Sequence, residues 1–169
     1  MEKELTRETV DPRYTWDLTR IYASDEAWEE AFVTIKAQAD AFAQRAGTLN
    51  KGRESILETL AAMAKMDEEF EALYAYAMMK NNEDSTNAKY QAMSDRAGTL
   101  AGVVAAASAF MEPELLALPE GEVEAMIADP AFEKYDRYLS GVLRMKAHTL
   151  TASEEKLMAI ARRGAEIGC

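Results

Sequence analysis

The stretch Tyr90 to Met111, YQAMSDRAGTLAGVVAAASAFM, decides the fold class of this chain. Tyr90, Met93, Ala97, Leu100, Val104, Ala107 and Met111 are separated by alternating threes and fours, the spacing that aligns side chains along one stripe of an α-helix. No charged residue occurs from Ala97 to Met111, and Gly98 and Gly102 make a G-x-x-x-G spacing, which in lipid marks a helix dimer face. Arg96 and Glu112 bound the run, which is shorter than the roughly 20 residues of a membrane span. A central core helix is therefore expected, with its glycines and alanines admitting a close neighbour.

The same periodicity extends outward on both sides. Upstream, Asn81-Asn82-Glu83-Asp84-Ser85-Thr86-Asn87 has the turn and capping residues of a break. Before it, Ile56, Leu60, Met63, Phe70, Tyr74 and Ala77 predict a helix from about Arg53 to Lys80, with Asp67 at the edge of the apolar face. Trp28, Phe32, Ile35, Ala39 and Phe42 predict another from about Asp25 to Arg45, capped by Ser24 and stopped near Gly47. Phe32-Val33-Thr34-Ile35 has strand composition, but the longer helical stripe around it prevails. Downstream, Pro113 and Pro119 predict a short connection to a small helix near Glu120 to Ala128. Asp129-Pro130 reads as cap and first-turn proline of a helix carrying Phe132, Tyr135, Leu139 and Val142. Thr151-Ala152-Ser153-Glu154 matches a capping box, opening a last helix with Leu157, Ile160, Ala161 and Ile167 inward. No motif recurs at a fixed period, which disfavours a solenoid. The expected fold is all-α: an antiparallel helical bundle of about five to six helices over residues 24–169, with an extended N-terminal arm over residues 1–23.

At 169 residues the chain has the size of one domain, enough to bury roughly 70% of its unfolded surface. Thirty acidic residues against 19 basic ones give a net charge of −11, which repels phosphate backbones and anionic lipid, so neither nucleic acid nor membrane is an expected partner. Residues 1–8 lack the apolar core of a signal peptide, and Cys169 is the only cysteine. Both features point to a cytoplasmic, reducing compartment.

His148 is the only histidine. Zinc hydrolases of the H-E-x-x-H type need two imidazoles four residues apart on one helix face, with the glutamate activating the bound water. Here His148 is followed by Thr149-Leu150-Thr151-Ala152, and the motif is absent. Di-metal bundles need two Glu-x-x-His pairs, whereas Met145 stands three residues before His148. No serine sits in a nucleophile elbow, so His148 reads as a residue before a helix cap, hydrogen-bonded locally or against a neighbouring segment. A small enzyme working through His148 is the weakest reading. Adjacent acids at Glu29-Glu30, Glu68-Glu69 and Glu154-Glu155 diverge on a helix and read as solvated faces. No catalytic or metal-binding residue is assigned. The candidate docking residues are Tyr14, Trp16 and Leu18, large side chains at alternating spacing that pack either onto the chain's own bundle or against a second domain, and Met78 and Met79, a flexible pair beside the Asn81–Asn87 turn with one member expected to be exposed.

The segment Tyr14-Thr15-Trp16-Asp17-Leu18-Thr19-Arg20-Ile21-Tyr22, leading to Trp28, resembles the N-terminal signature of the oligoendopeptidase F family of zinc metallopeptidases. Four further blocks are similar to that family in order and spacing: Leu73 to Ala77 with Glu83 to Asn87, Phe110 to Leu115, Tyr135 to Leu143, and His148 to Glu155, where Thr151-Ala152 replaces the usual Ser-Pro. The resemblance implies a non-catalytic N-terminal helical domain, separated at Cys169 from a catalytic half that carries the zinc. In the full-length enzyme such a domain packs over that half and helps enclose a channel for oligopeptides. Its expected partners are thus the catalytic domain of the same polypeptide and the oligopeptide substrate. A dimer through exposed apolar surface is a further expectation. The alternative is a free-standing helical module that binds a protein or peptide through exposed Met and aromatic residues.

Overall fold

Ser24 opens the first long helix: its extended backbone lets the hydroxyl accept the Ala27 N–H, while Asp25 and Glu26 place negative charge at the helix's positive end. In the computed structural model, which describes residues 9–146, this helix, α1, spans Asp25–Ala43. Gly47, at φ +80°, supplies the left-handed turn after it. α2 spans Arg53–Glu83 and α3 spans Ala88–Ser108. Asn87 caps α3, its side-chain oxygen accepting the Lys89 and Tyr90 N–H groups. The short link over residues 84–87 returns α3 antiparallel to α2. Further helices, α4 (Met111–Leu116), α5 (Glu122–Ile127) and α6 (Asp136–Lys146), complete the described part, which contains no strand.

The chain separates into two compact units, Met1–Glu114 and Leu115–Cys169. In the first, α1, α2 and α3 run up, down and up around a core of Trp28, Ile35, Ala39 and Phe42 from α1 and Met93, Ala97, Leu100, Val104 and Ala107 from α3. From α2 the core takes Ile56, Leu60, Met66, Leu73, Tyr76 and Ala77. Trp28 is fully buried, and its indole N–H donates to the Leu73 carbonyl at 2.9 Å. The stripes expected for α1 and α3 recur here, with Phe32 and Tyr90 half-buried at the margins. On α2 the expectation needs correction at Tyr74, which is exposed, while Met66, Leu73 and Tyr76 are buried and Met63 and Phe70 are half-buried at the margins. An α-helix drifts by about 20° per heptad, and over 31 residues α2 meets both α1 and α3, so its buried face moves off a single stripe. Asp67 is half-buried, in keeping with a position at the edge.

A second correction concerns α3. The sequence reads Gly98 and Gly102 as admitting a close neighbour, yet among the described residues a Cβ placed at either meets nothing within 4 Å. Each mid-helix glycine costs about 1 kcal/mol relative to alanine. Residues 88–116 are long and apolar enough to cross a membrane by length and composition alone, but one stripe of α3 is buried against α1 and α2.

At the end of the first unit, the Phe110 ring packs 5.5 Å from that of Phe42. The Glu114 carboxylate accepts the Gly47 N–H at 2.6 Å and the Leu49 N–H at 3.3 Å, tying down the loop after α1. Pro113 lies in the first turn of α4, where its missing N–H breaks no helical bond.

In the second unit, Gly121 at φ +84° precedes α5. The Asp129 carboxylate accepts the Ala131 N–H at 2.9 Å and begins a 3-10 turn, Pro130–Tyr135, which leads into α6. The sequence marks this start; the tighter first turns are a feature of the structure. Val123, Met126, Phe132, Leu139 and Val142 are buried where α5, the 3-10 turn and α6 pack together, and Tyr135 is half-buried. His148, the capping box at Thr151, the helix expected through Ile167, and Cys169 lie outside the described residues.

Candidate functional site

Two short polar turns organise the described part of the N-terminal arm. Asp11 accepts the Arg13 backbone N–H at 3.0 Å and its guanidinium at 2.6 Å, shaping the 3-10 turn Pro12–Tyr14. Asp17 accepts the Thr19 N–H and hydroxyl and caps a second 3-10 turn, Leu18–Arg20. The described part of the arm therefore turns twice instead of running continuously extended, and side-chain direction there no longer alternates residue by residue. Leu18 points inward and is buried, whereas Tyr14 and Trp16 are 80% and 51% exposed. Trp16, Asp17 and Leu18 line a cavity of about 370 Å³ with Lys80 and Glu83 from the end of α2. Met78 and Met79 are both half-buried, and the Ser94 hydroxyl meets the Met78 sulfur at 3.0 Å. Of the five docking candidates, Tyr14 and Trp16 are thus the ones that present large surface to solvent.

The three long helices are joined at one end by a cluster that the sequence reading did not anticipate. The Asp25 carboxylate accepts the Tyr76 hydroxyl at 2.8 Å and the Lys89 ammonium at 2.5 Å, with Lys80 at 3.7 Å. The Lys80 ammonium lies 5.4 Å from the Tyr76 ring centre and 5.1 Å from that of Tyr90. Tyr22 meets Tyr76 edge-on at 5.5 Å. Burial raises the Asp25 pKa, but the hydrogen bonds from Lys89 and Tyr76 and the two ammonium charges outweigh it and hold the carboxyl below its ordinary value. Burial and the Asp25 charge push the Tyr76 phenol up. Nearby, the Arg96 guanidinium grips Glu29 through two bonds of 2.6 and 2.7 Å and stacks 4.4 Å from the Phe32 ring centre. The Arg96 bond lowers the Glu29 pKa. These partners fasten α1 to α2 and α3 and leave no activated nucleophile in the cluster. One signal was present in the sequence: an acid in the first turn of α1 and lysines on both sides of the Asn81–Asn87 turn.

A groove of about 440 Å³ lies between α1 and α3, lined by Ala39, Asp40, Ala43, Thr99, Gly102, Val103 and Ala106. Gly98, Ala105 and Ala109 extend the exposed face of α3 beside it. Among the described residues, no three His, Cys, Asp or Glu side chains gather to hold a metal ion, so the donors present do not fit a zinc site.

Comparison with known proteins places these features. The Group B oligopeptidase PepB of Streptococcus agalactiae is 34% identical over 154 residues, covering 90% of this chain and 26% of that protein. Oligopeptidase PepF of Bacillus subtilis is 31% identical over 154 residues, covering 90% of this chain and 23% of that protein. The crystal structure of oligoendopeptidase-F from Enterococcus faecium superimposes with a TM-score of 0.65 at 29% identity, covering 80% of this chain and 27% of that one. The family profile described as Oligopeptidase F matches residues 114–166.

This chain belongs to the oligoendopeptidase F family. It corresponds to the N-terminal helical region of such a peptidase and spans about a quarter of the length of the curated relatives it matches. The oligoendopeptidase F blocks legible in its sequence have definite structural work in this unit. Trp28 fills the core, Tyr76 anchors Asp25, Phe110 stacks on Phe42, and Glu114 holds the α1–α2 loop. The block from His148 to Glu155 lies outside the described residues.

Proposed function

We propose that this region is a non-catalytic cover of a longer oligoendopeptidase F-type zinc metallopeptidase that acts on oligopeptides in the cytoplasm. The carrying observation is the alignment of 90% of the chain with only 26% of an oligopeptidase, PepB, from a sequence that lacks the H-E-x-x-H motif. When bound, zinc in the parent would polarise the scissile carbonyl and supply an activated water. The residues of this chain contribute no step to that chemistry. Their role is steric: rigid helices, clamped together by Asp25 and Arg96, bound a channel that admits short extended peptides and excludes folded proteins. The low cysteine content of this sequence supports the cytoplasmic assignment.

A quenched fluorogenic oligopeptide tests this reading. The polypeptide carried to the length of its relatives should hydrolyse it in a chelator-sensitive manner and leave a folded protein substrate intact. This chain with added zinc should not turn it over. Chelator-sensitive hydrolysis by this chain alone, or equal cleavage of the folded protein by the longer form, would overturn the reading.

A further inference from the structure

The open face of α3 is costly without something to cover it. Gly98 and Gly102 weaken the helix, yet space for a side chain is open at both positions, so nothing within the described bundle requires glycine there. Around them, Ala105, Ala106 and Ala109 keep the surface low, and Ala39, Ala43 and Val103 continue it as an apolar groove. Small residues at four-residue intervals allow another helix backbone to approach closely, a gain realised only if that helix is there.

We infer that the α1–α3 groove seats an apolar helix from the part of the polypeptide that follows this region in its longer relatives. The inference rests on the reading above and adds the face through which the cover is attached. The length outside this chain argues for that occupant: about three-quarters of the PepB length lies outside the aligned 26%. A second copy would leave that large remainder to find another surface. A lipid bilayer would have to strip α3 from α1 and α2, exposing the buried Met93, Ala97, Leu100, Val104 and Ala107 stripe. A helix from the same polypeptide, held at high effective concentration by its connection, covers the glycine face without disturbing that core.

Thiol accessibility in the full-length polypeptide tests the docking. Ala106→Cys is placed in the groove and Ala64→Cys on exposed α2 as the control, with alkylation at each position followed by peptide mass spectrometry. The groove thiol should react roughly tenfold more slowly than the control, with the same protection at every protein concentration and without lipid. Equal rates, protection that grows with concentration, or protection that requires vesicles overturns the inference. If Ala106→Cys perturbs folding, Gly102→Leu supplies a second readout. An occupied groove makes the added side chain clash and lowers the melting temperature of the full-length protein. An open groove gains a better helix former, so a raised melting temperature overturns the inference. Peptide hydrolysis measured on the same preparations separates the outcomes. Retained hydrolysis with a freely reactive groove thiol rejects this docking face alone, whereas a protected thiol without chelator-sensitive hydrolysis rejects the peptidase reading and leaves the docking in place.

Discussion

Trp28 and Trp16 are chemically identical and structurally opposite. Trp28 is fully buried and hydrogen-bonded to the Leu73 carbonyl, while Trp16 is half exposed. Trp28→Ala should cost about 3–5 kcal/mol in urea unfolding through the cavity it leaves, whereas Trp16→Ala should leave the stability of this chain nearly unchanged. Asp25 sets a pH dependence. Its folded pKa lies below the ordinary 3.8, so its contribution is complete above that value and is lost as pH falls through the lower folded pKa. Glu29 acts in the same direction from an ordinary 4.5. In Asp25→Asn, stability measured by urea unfolding should fall at pH 7 and decline less between pH 4 and pH 2 than in the parent chain. Asp67 has the opposite sign: burial and the nearby Glu71 raise its pKa, so the folded state favours the protonated form and gains stability as pH falls. Asp67→Asn should therefore stabilise the chain at pH 7, with about 0.2–0.5 kcal/mol from relief of the Glu71 repulsion. The core identity of Trp28 was legible from its place on a helical stripe. The Asp25 cluster was not, because it joins side chains 51 and 64 residues apart.

Helices are the best-read level of this molecule, and the reason is local chemistry. Ser24 and Asn87 carry cap bonds where the sequence marks helix starts, and alternating threes and fours locate the buried stripes of α1 and α3. Asn87→Ala removes two hydrogen bonds to the first turn of α3 and should cost about 0.5–2 kcal/mol, measured as a lower urea midpoint with unchanged slope. On α2 the reading by stripe fails at Tyr74, because two neighbouring helices decide which sides are covered. The arm fails differently. Its Tyr14, Trp16 and Leu18 alternation suggests extension, but the Asp11 and Asp17 side chains bond the backbone two residues onward and wind it into turns.

Across the first unit, the decisive contrast is between the buried core of α1, α2 and α3 and an apolar surface left open along α3. Tyr14 and Trp16 expose separate aromatic surface on the N-terminal arm. If they dock in the full-length polypeptide, replacing both with alanine should lower its melting temperature more than that of this chain, as calorimetry on the two forms would reveal. Sequence by itself determined the helical class, the main helix boundaries, the lineage and the lack of an H-E-x-x-H site, because caps, helical periodicity and motif order are properties of neighbouring residues. Tertiary structure alone decided that Leu18 turns inward while Tyr14 and Trp16 turn out, that Asp25 gathers Tyr76, Lys80 and Lys89, and that Gly98 and Gly102 face open space. Those outcomes depend on which helix faces meet across the bundle, and packing between residues far apart in the chain is what fixes them.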